Sequence, residues 1–163
     1  MDAGKLKPNI QSINFSRLVQ DALDEIAVFA QKKGVQLATL SLPSELIISA
    51  DPGQIKRAIV KLFENAVKYT PSDGHVEASC RKEKGWVELT ITDTGIGIPR
   101  EDCDRVFEKF YRTDQADALQ ERGTGIGLAI VKGIVNDGEI KLESTVGVGS
   151  IFTIRLPVEG PAA

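Results

Sequence analysis

The sequence predicts a two-layer α+β domain, a mixed sheet of about five strands with three helices on one face. Three observations point there. An apolar stripe of helical period runs through residues 52–69, two alternating strands meet in a tight turn within residues 75–93, and a second hairpin closes the chain over residues 138–156. A length of 163 residues suits one domain with a sizeable core.

The first eight residues are polar, contain Gly4 and Pro8, and read as a linker, while residues 10–14 suit a short edge strand. Leu18, Ala22, Ile26 and Phe29 then recur at helical steps until Gly34 stops the helix. Residues 35–40 and 46–49 have strand character on either side of Pro43. Asp51-Pro52 opens the central helix, with Asp as N-cap and Pro at the first helical position. Ile55, Ala58, Ile59, Leu62, Phe63, Ala66 and Val67 form its buried stripe. Lys61, Glu64, Asn65 and Lys68 stack on another face, because residues three, four and seven apart lie above one another.

Thr70-Pro71-Ser72-Asp73-Gly74 turns the chain into the first hairpin, whose second strand carries Val87, Leu89 and Ile91 on one face. The period of two puts Asp93 on that same inward face, where an unpaired charge is costly and requires a donor from protein or ligand. Residues 100–122 hold little apolar surface beyond Val106, Phe107, Phe110 and Tyr111, so a mobile loop of the functional kind is expected there. A third helix is expected over residues 125–136, with Ile126, Ile130 and Ile134 in register.

Composition narrows the function more by exclusion than by suggestion. A net charge of −3 and the absence of a basic run argue against nucleic acid as partner. No apolar stretch approaches the ~18 residues of a bilayer span, so no membrane contact is expected from these residues. Cys80 and Cys103 fit neither a metal motif nor a disulfide framework, which makes reduced thiols in the cytoplasm the expectation. The single histidine, His75, rules out a multi-histidine metal centre.

Two segments carry the chemistry: Asp93-Thr94-Gly95-Ile96-Gly97-Ile98-Pro99, and about thirty residues later Gly123-Thr124-Gly125-Ile126-Gly127-Leu128. Glycines so placed let the backbone approach a ligand closely or adopt positive φ. A glycine-rich segment that opens a helix also offers free N–H groups and the positive dipole end to phosphate. One such loop is weak evidence. Two of them, with an asparagine-bearing helix upstream, are strong.

In order, the segment Leu62-Phe63-Glu64-Asn65-Ala66-Val67-Lys68-Tyr69-Thr70, the Asp93 loop, Val106-Phe107-Glu108-Lys109-Phe110-Tyr111-Arg112 and the Gly123 loop resemble four boxes of one family. They are similar to the N, G1, F and G2 boxes of the ATP-binding catalytic domain of sensor histidine kinases, within the gyrase B, Hsp90 and MutL superfamily and its Bergerat-type fold. The closing Gly149-Ser150-x-Phe152-Thr153 also resembles the family's last strand. The resemblance implies a linker over residues 1–14, a catalytic domain over residues 15–158 and a tail over residues 159–163.

The resemblance implies γ-phosphoryl transfer from ATP, with Mg2+, to a histidine on a separate dimerisation domain of the same kinase, with a response regulator downstream. Asp93 is then the acceptor for the adenine amino group, and Gly95, Gly97 and Ile98 line the base. Gly123, Thr124, Gly125, Gly127 and Leu128 bring N–H groups to the phosphates. Asn65 is the implied magnesium ligand, Lys68 a phosphate contact, Tyr69 a base or ribose contact, and Arg112 and Arg122 supply charge near the γ-phosphate.

Three departures stand out. Lys61 occupies the position, one turn before Asn65, where these kinases usually carry a second asparagine. Residues 135–140 lack the family's His-Gly-Gly and look shortened. No phosphoacceptor histidine is present, since His75 opens a strand after Asp73-Gly74, so the chain reads as the ATP-binding half cut from a longer sensor. Two rival functions share the fold class: an anti-sigma-factor-type serine kinase, and a non-catalytic nucleotide-binding or interaction module. The Phe107-to-Arg112 motif favours the histidine kinase over the first.

Overall fold

The computed structural model describes residues 9–103, 105, 107, 131, 132, 134, 135 and 138–158. Strand β1, Gln11–Asn14, leads directly into helix α1, Phe15–Lys33. Strands β2, Gln36–Ser41, and β3, Ile47–Ala50, precede helix α2, Pro52–Lys68. Then come β4, His75–Glu83, and β5, Trp86–Asp93, and after them β6, Glu139–Thr145, and β7, Gly149–Pro157. A 3-10 turn, Arg100–Asp102, follows β5.

Five strands form one sheet in the order β2-β4-β5-β7-β6. Only β2 and β4 run parallel, because α2 carries the chain across between them, so the sheet is mixed as the sequence predicts. The alternation of the strands puts Val76, Ala78 and Cys80 of β4, Val87, Leu89 and Ile91 of β5, and Phe152, Ile154 and Leu156 of β7 on one buried face. Both helices lay their apolar stripes on it. The α2 stripe is the predicted one, residue for residue. The Cys80 thiol is buried in this layer, and burial pushes its pKa up to about 12, which leaves it an inert apolar filler.

The sequence does not reveal that β1 and β3 leave the main sheet and pair with each other, antiparallel. Residues 11–14 therefore pack against the domain, although the pattern before them reads as linker. Of the third expected helix, Val131, Lys132 and Ile134 are helical, with Val131 and Val135 buried. Ile126 and Ile130 lie outside the described residues.

Helix ends follow local chemistry. Asp51 Oδ1 caps α2 by accepting from Gly53 N at 3.0 Å and Gln54 N at 3.3 Å, with Pro52 next to it. Gly34 ends α1 at φ 79°, the left-handed conformation that favours glycine. Asn14 does more than cap. Its Oδ1 accepts from Ser16 N at 3.2 Å and Leu46 N at 3.0 Å, and its amide donates to Ser44 O at 3.2 Å. One side chain thus starts α1 and ties it to the approach to β3. Asn14→Ala should cost about 1–2 kcal/mol in a urea unfolding curve, more than an ordinary exposed substitution. Asn14→Asp should recover part of the loss, because it keeps the acceptor but not the donor.

Candidate functional site

The inner face of the sheet is apolar except at one end. There the register aligns Val76, Asp93, Ser150 and Ser144 across β4, β5, β7 and β6. Asp93 closes β5 at 8 % exposure, on the inward side that its alternation with Val87, Leu89 and Ile91 requires. Its Oδ1 accepts from Gly95 N at 2.9 Å and from Ser150 N at 3.2 Å. Among the described residues no group donates to Oδ2. Burial pushes the carboxyl pKa up from 3.8 to about 6, against the opposing pull of the two backbone N–H bonds. The result at neutral pH is an ionised, largely dry carboxylate with one oxygen committed to the protein and one still to be satisfied.

The loop after Asp93 is held from both sides. On one side Ile96 N donates to Tyr69 O at 3.1 Å, so the loop is pinned to the C-terminus of α2. A Cβ on Gly95 would crowd that carbonyl, the Asp93 carboxylate and Thr70 Oγ1 at once. On the other side the β6–β7 turn grips it. Gly147 N donates to Ile96 O at 2.8 Å and Ile98 N to Ser144 Oγ at 2.7 Å. Gly97, at φ 76°, passes so close to Thr145 and Val146 that a side chain would strike their backbone.

A hydroxyl chain completes the grip. Ser144 Oγ donates to Gly149 O at 3.0 Å, and Ser150 and Ser144 share a 2.7 Å bond, with Ser150 the donor once Ser144 has spent its proton. Ser150, Ser144, Gly149 and Thr70 therefore adjoin the site; Thr70 and Gly149-Ser150 fall within segments of the family resemblance without a role assigned to them, and Ser144 falls within none. A signal for Ser150 exists: it sits on the same period-two stripe as Phe152, Ile154 and Leu156, a polar residue on an inward face.

Asn65, Lys68 and Tyr69 occupy the last turns of α2, the end that the Asp93 loop abuts. The half-buried Asn65 side chain has no hydrogen-bond partner among the described residues. The Lys68 ammonium lies 6.0 Å from the centroid of the Tyr69 ring, and its carbonyl accepts from Lys33 Nζ. Lys61 faces Glu64 across 3.7 Å. Further along, Phe107 packs edge-on against the buried Phe152 with centroids 6.3 Å apart, and the Lys132 ammonium lies 5.9 Å from the Phe107 centroid. Gly123, Thr124, Gly125, Gly127, Leu128, Arg112 and Arg122 lie outside the described residues, as does the expected loop apart from residues 100–103, 105 and 107. His75, read as a surface residue at a strand start, is exposed and opens β4, its backbone bonded to Thr94.

The family described as histidine kinase-, DNA gyrase B-, and HSP90-like ATPase matches residues 50–160. The sensor-like histidine kinase SenX3 of Mycolicibacterium smegmatis is 37% identical over 152 residues, covering 92% of this chain and 39% of SenX3. The histidine protein kinase DivJ of Caulobacter vibrioides is 35% identical over 142 residues, covering 86% of this chain and 24% of DivJ. The chain thus spans well under half the length of these relatives. Among solved structures, full-length ShkA in complex with AMPPNP superposes with a TM-score of 0.82 at 26% identity, covering 97% of this chain and 33% of ShkA. The catalytic domain of the histidine kinase ThkA superposes at 0.80 with 21% identity, covering 94% and 99% of the two chains, a likeness of fold.

The raised Asp93 pKa has a stability consequence with a definite sign. A carboxyl that is more basic folded than unfolded binds its proton more tightly in the native state, so its ionisation destabilises the fold as pH rises from about 4 through about 6. Asp93→Asn keeps the acceptor for Gly95 and Ser150 and removes the charge. It should unfold with about 1–2 kcal/mol more stability than the parent at pH 7.5, by denaturant titration. That advantage should shrink toward pH 5, and a pH-independent difference between the two proteins would show that Asp93 ionisation is not strained.

Proposed function

This chain belongs to the histidine kinase-, DNA gyrase B- and HSP90-like ATPase family, and we propose that it binds Mg-ATP and presents the γ-phosphoryl group to a histidine on a separate dimerisation domain of a sensor histidine kinase. The observation that carries this reading is the buried Asp93, with Oδ1 satisfied by the backbone and Oδ2 open. An open acceptor in a dry pocket selects a ligand with a donor there. The exocyclic amino group of adenine donates, whereas guanine places a carbonyl at that position and would face the carboxylate with a second acceptor.

The rest of the site suits a nucleoside triphosphate. Gly95 and Gly97 let the loop pack tightly against α2 on one side and the β6–β7 turn on the other, which fixes the floor on which a flat base would lie. Ile98 is anchored by Ser144 and closes that floor with an apolar side chain. The end of α2 then offers Asn65, Lys68 and Tyr69 toward the phosphates and ribose, and the Gly123 to Leu128 segment would supply backbone N–H groups. AMPPNP, an imido analogue of ATP, in the complex with ShkA supports the same ligand class.

Magnesium fits what is present. Among the described residues no three His, Cys, Asp or Glu gather as a metal cluster, and the Asn65 amide oxygen, without a partner among the described residues, is a candidate donor. A single amide oxygen suits a hard cation that keeps waters and phosphate oxygens as its other ligands. Such an ion would neutralise phosphate charge. The chain itself orients ATP and excludes water from the base; transfer forms a bond from the imidazole nitrogen to γ-phosphorus, breaks the bridging P–O bond and releases ADP.

In the complete kinase, a response regulator then receives the phosphoryl group, and the domain works in the cytoplasm. No described helix is long and apolar enough to cross a membrane.

Mixing this chain with Mg-ATP and a separately made histidine-bearing hairpin of its parent kinase should label the hairpin with acid-labile phosphate. Asn65→Ala should abolish labelling. Asp93→Asn should lower ATP affinity ten- to hundredfold, the worth of a charge-assisted hydrogen bond, and narrow the gap between ATP and GTP. Equal binding of ATP and GTP by the unaltered chain would sink the assignment of Asp93 to adenine.

A further inference from the structure

Lys61, Asn65 and Lys68 rise along one face of α2 at steps of four and seven residues, so a ligand above Asn65 has an ammonium on each side. Among the described residues no cluster of three or more His, Cys, Asp or Glu forms, so these lysines bring positive charge to this face without a metal-binding carboxylate group beside them. Lys61 is not a freely solvated helix lysine. Its side chain is 32% exposed and is drawn to Glu64, one turn along, with Nζ to Oε1 at 3.7 Å. That pair is long and lies on a half-exposed surface, where such ion pairs contribute little and are easily exchanged for a stronger anion. A phosphate oxygen, with higher charge and three-donor geometry on the ammonium, is such an anion.

We propose that Lys61 is a phosphate-binding residue of the nucleotide site, and that it takes over part of the charge neutralisation otherwise left to magnesium. The proposal rests on the ATP-binding reading of the Asp93 site. Nucleotide binding by this chain then tolerates the loss of the metal, because a fixed ammonium faces the phosphates when the divalent ion is gone. The Glu64 carboxylate, 3.7 Å away, competes with phosphate for the same ammonium. Lys56 lies on a different face, paired with Glu25 of α1 across 3.4 Å, and takes no part.

Equilibrium binding of ATP, measured by calorimetry in magnesium and again in EDTA, tests this without recourse to activity. The unaltered chain should bind in EDTA within about tenfold of its magnesium affinity. Lys61→Gln should lose ten- to hundredfold in EDTA and much less in magnesium, while Lys61→Arg should retain metal-free binding. Glu64→Gln should tighten metal-free binding, since the competing carboxylate is gone. All three changes fall on half-exposed positions, and matched thermal unfolding curves confirm that the fold is kept. If Lys61→Gln and the parent share one metal dependence, Lys61 is a bystander and the proposal fails while the ATP site stands. If ATP does not bind the parent chain in either condition, both the proposal and the site reading fall.

Discussion

The structure turns on one oxygen. Asp93 Oδ1 accepts from Gly95, two residues ahead in its own loop, and from Ser150, fifty-seven residues away on the neighbouring strand. The first bond sets the path of the loop as it leaves β5; the second fastens that loop to β7. Without them the carboxylate would be an unpaired buried charge, and the loop would lose the anchor from which Ile96, Gly97 and Ile98 are placed. Gly149 shows how tight the junction is, since its φ of 147° and its contact with the Asp93 carbonyl leave no space for a side chain.

This arrangement costs stability. Two backbone N–H groups do not fully offset burial, and the carboxyl pKa remains near 6 rather than the ordinary 3.8. A neutral amide would fill the same place with less strain. The charge makes sense when a donor from a ligand completes the set, because the ligand then supplies the bond that the fold withholds from Oδ2. Active sites commonly retain such locally unfavourable groups, and the surrounding core absorbs them. Here the core is broad: the inner rows of β4, β5 and β7 are apolar up to the last row before the site.

Much of this is legible in the sequence because it is periodic. The stripe from Ile55 to Val67 defines α2 and its buried face, and the alternation from Val87 to Ile91 is enough to place Asp93 on the inner side of the sheet. What escapes is non-periodic or non-local. The pairing of β1 with β3 depends on a four-residue register between strands too short to declare a partner. The parts played by Ser144 and Ser150 depend on which strands are neighbours, and strand order is not a property of any single segment. Ser150 could have been flagged by its place on an inward stripe. Thr70, fully buried with its hydroxyl on Ala66 O at 2.7 Å, looks in sequence like an ordinary turn residue.

The same non-locality governs how the site comes to exist. Local chemistry can form α2 with its cap and stripe, and the β4–β5 hairpin needs only a short turn. The loop after Asp93 needs more, because Asp93, Ile96 and Ile98 are held by Ser150, Gly147 and Ser144 from the last hairpin. Without β7, the Asp93 loop keeps its bonds to Tyr69 and, through Thr94, to His75 of β4, but loses every bond to the last hairpin. The loop geometry around Asp93 thus depends on segments distant in sequence, whose long-range pairing is slower to form than local structure. It also follows that a ligand seated on that loop binds the fully formed sheet and not its precursors. A ligand that binds only the completed sheet stabilises it by mass action.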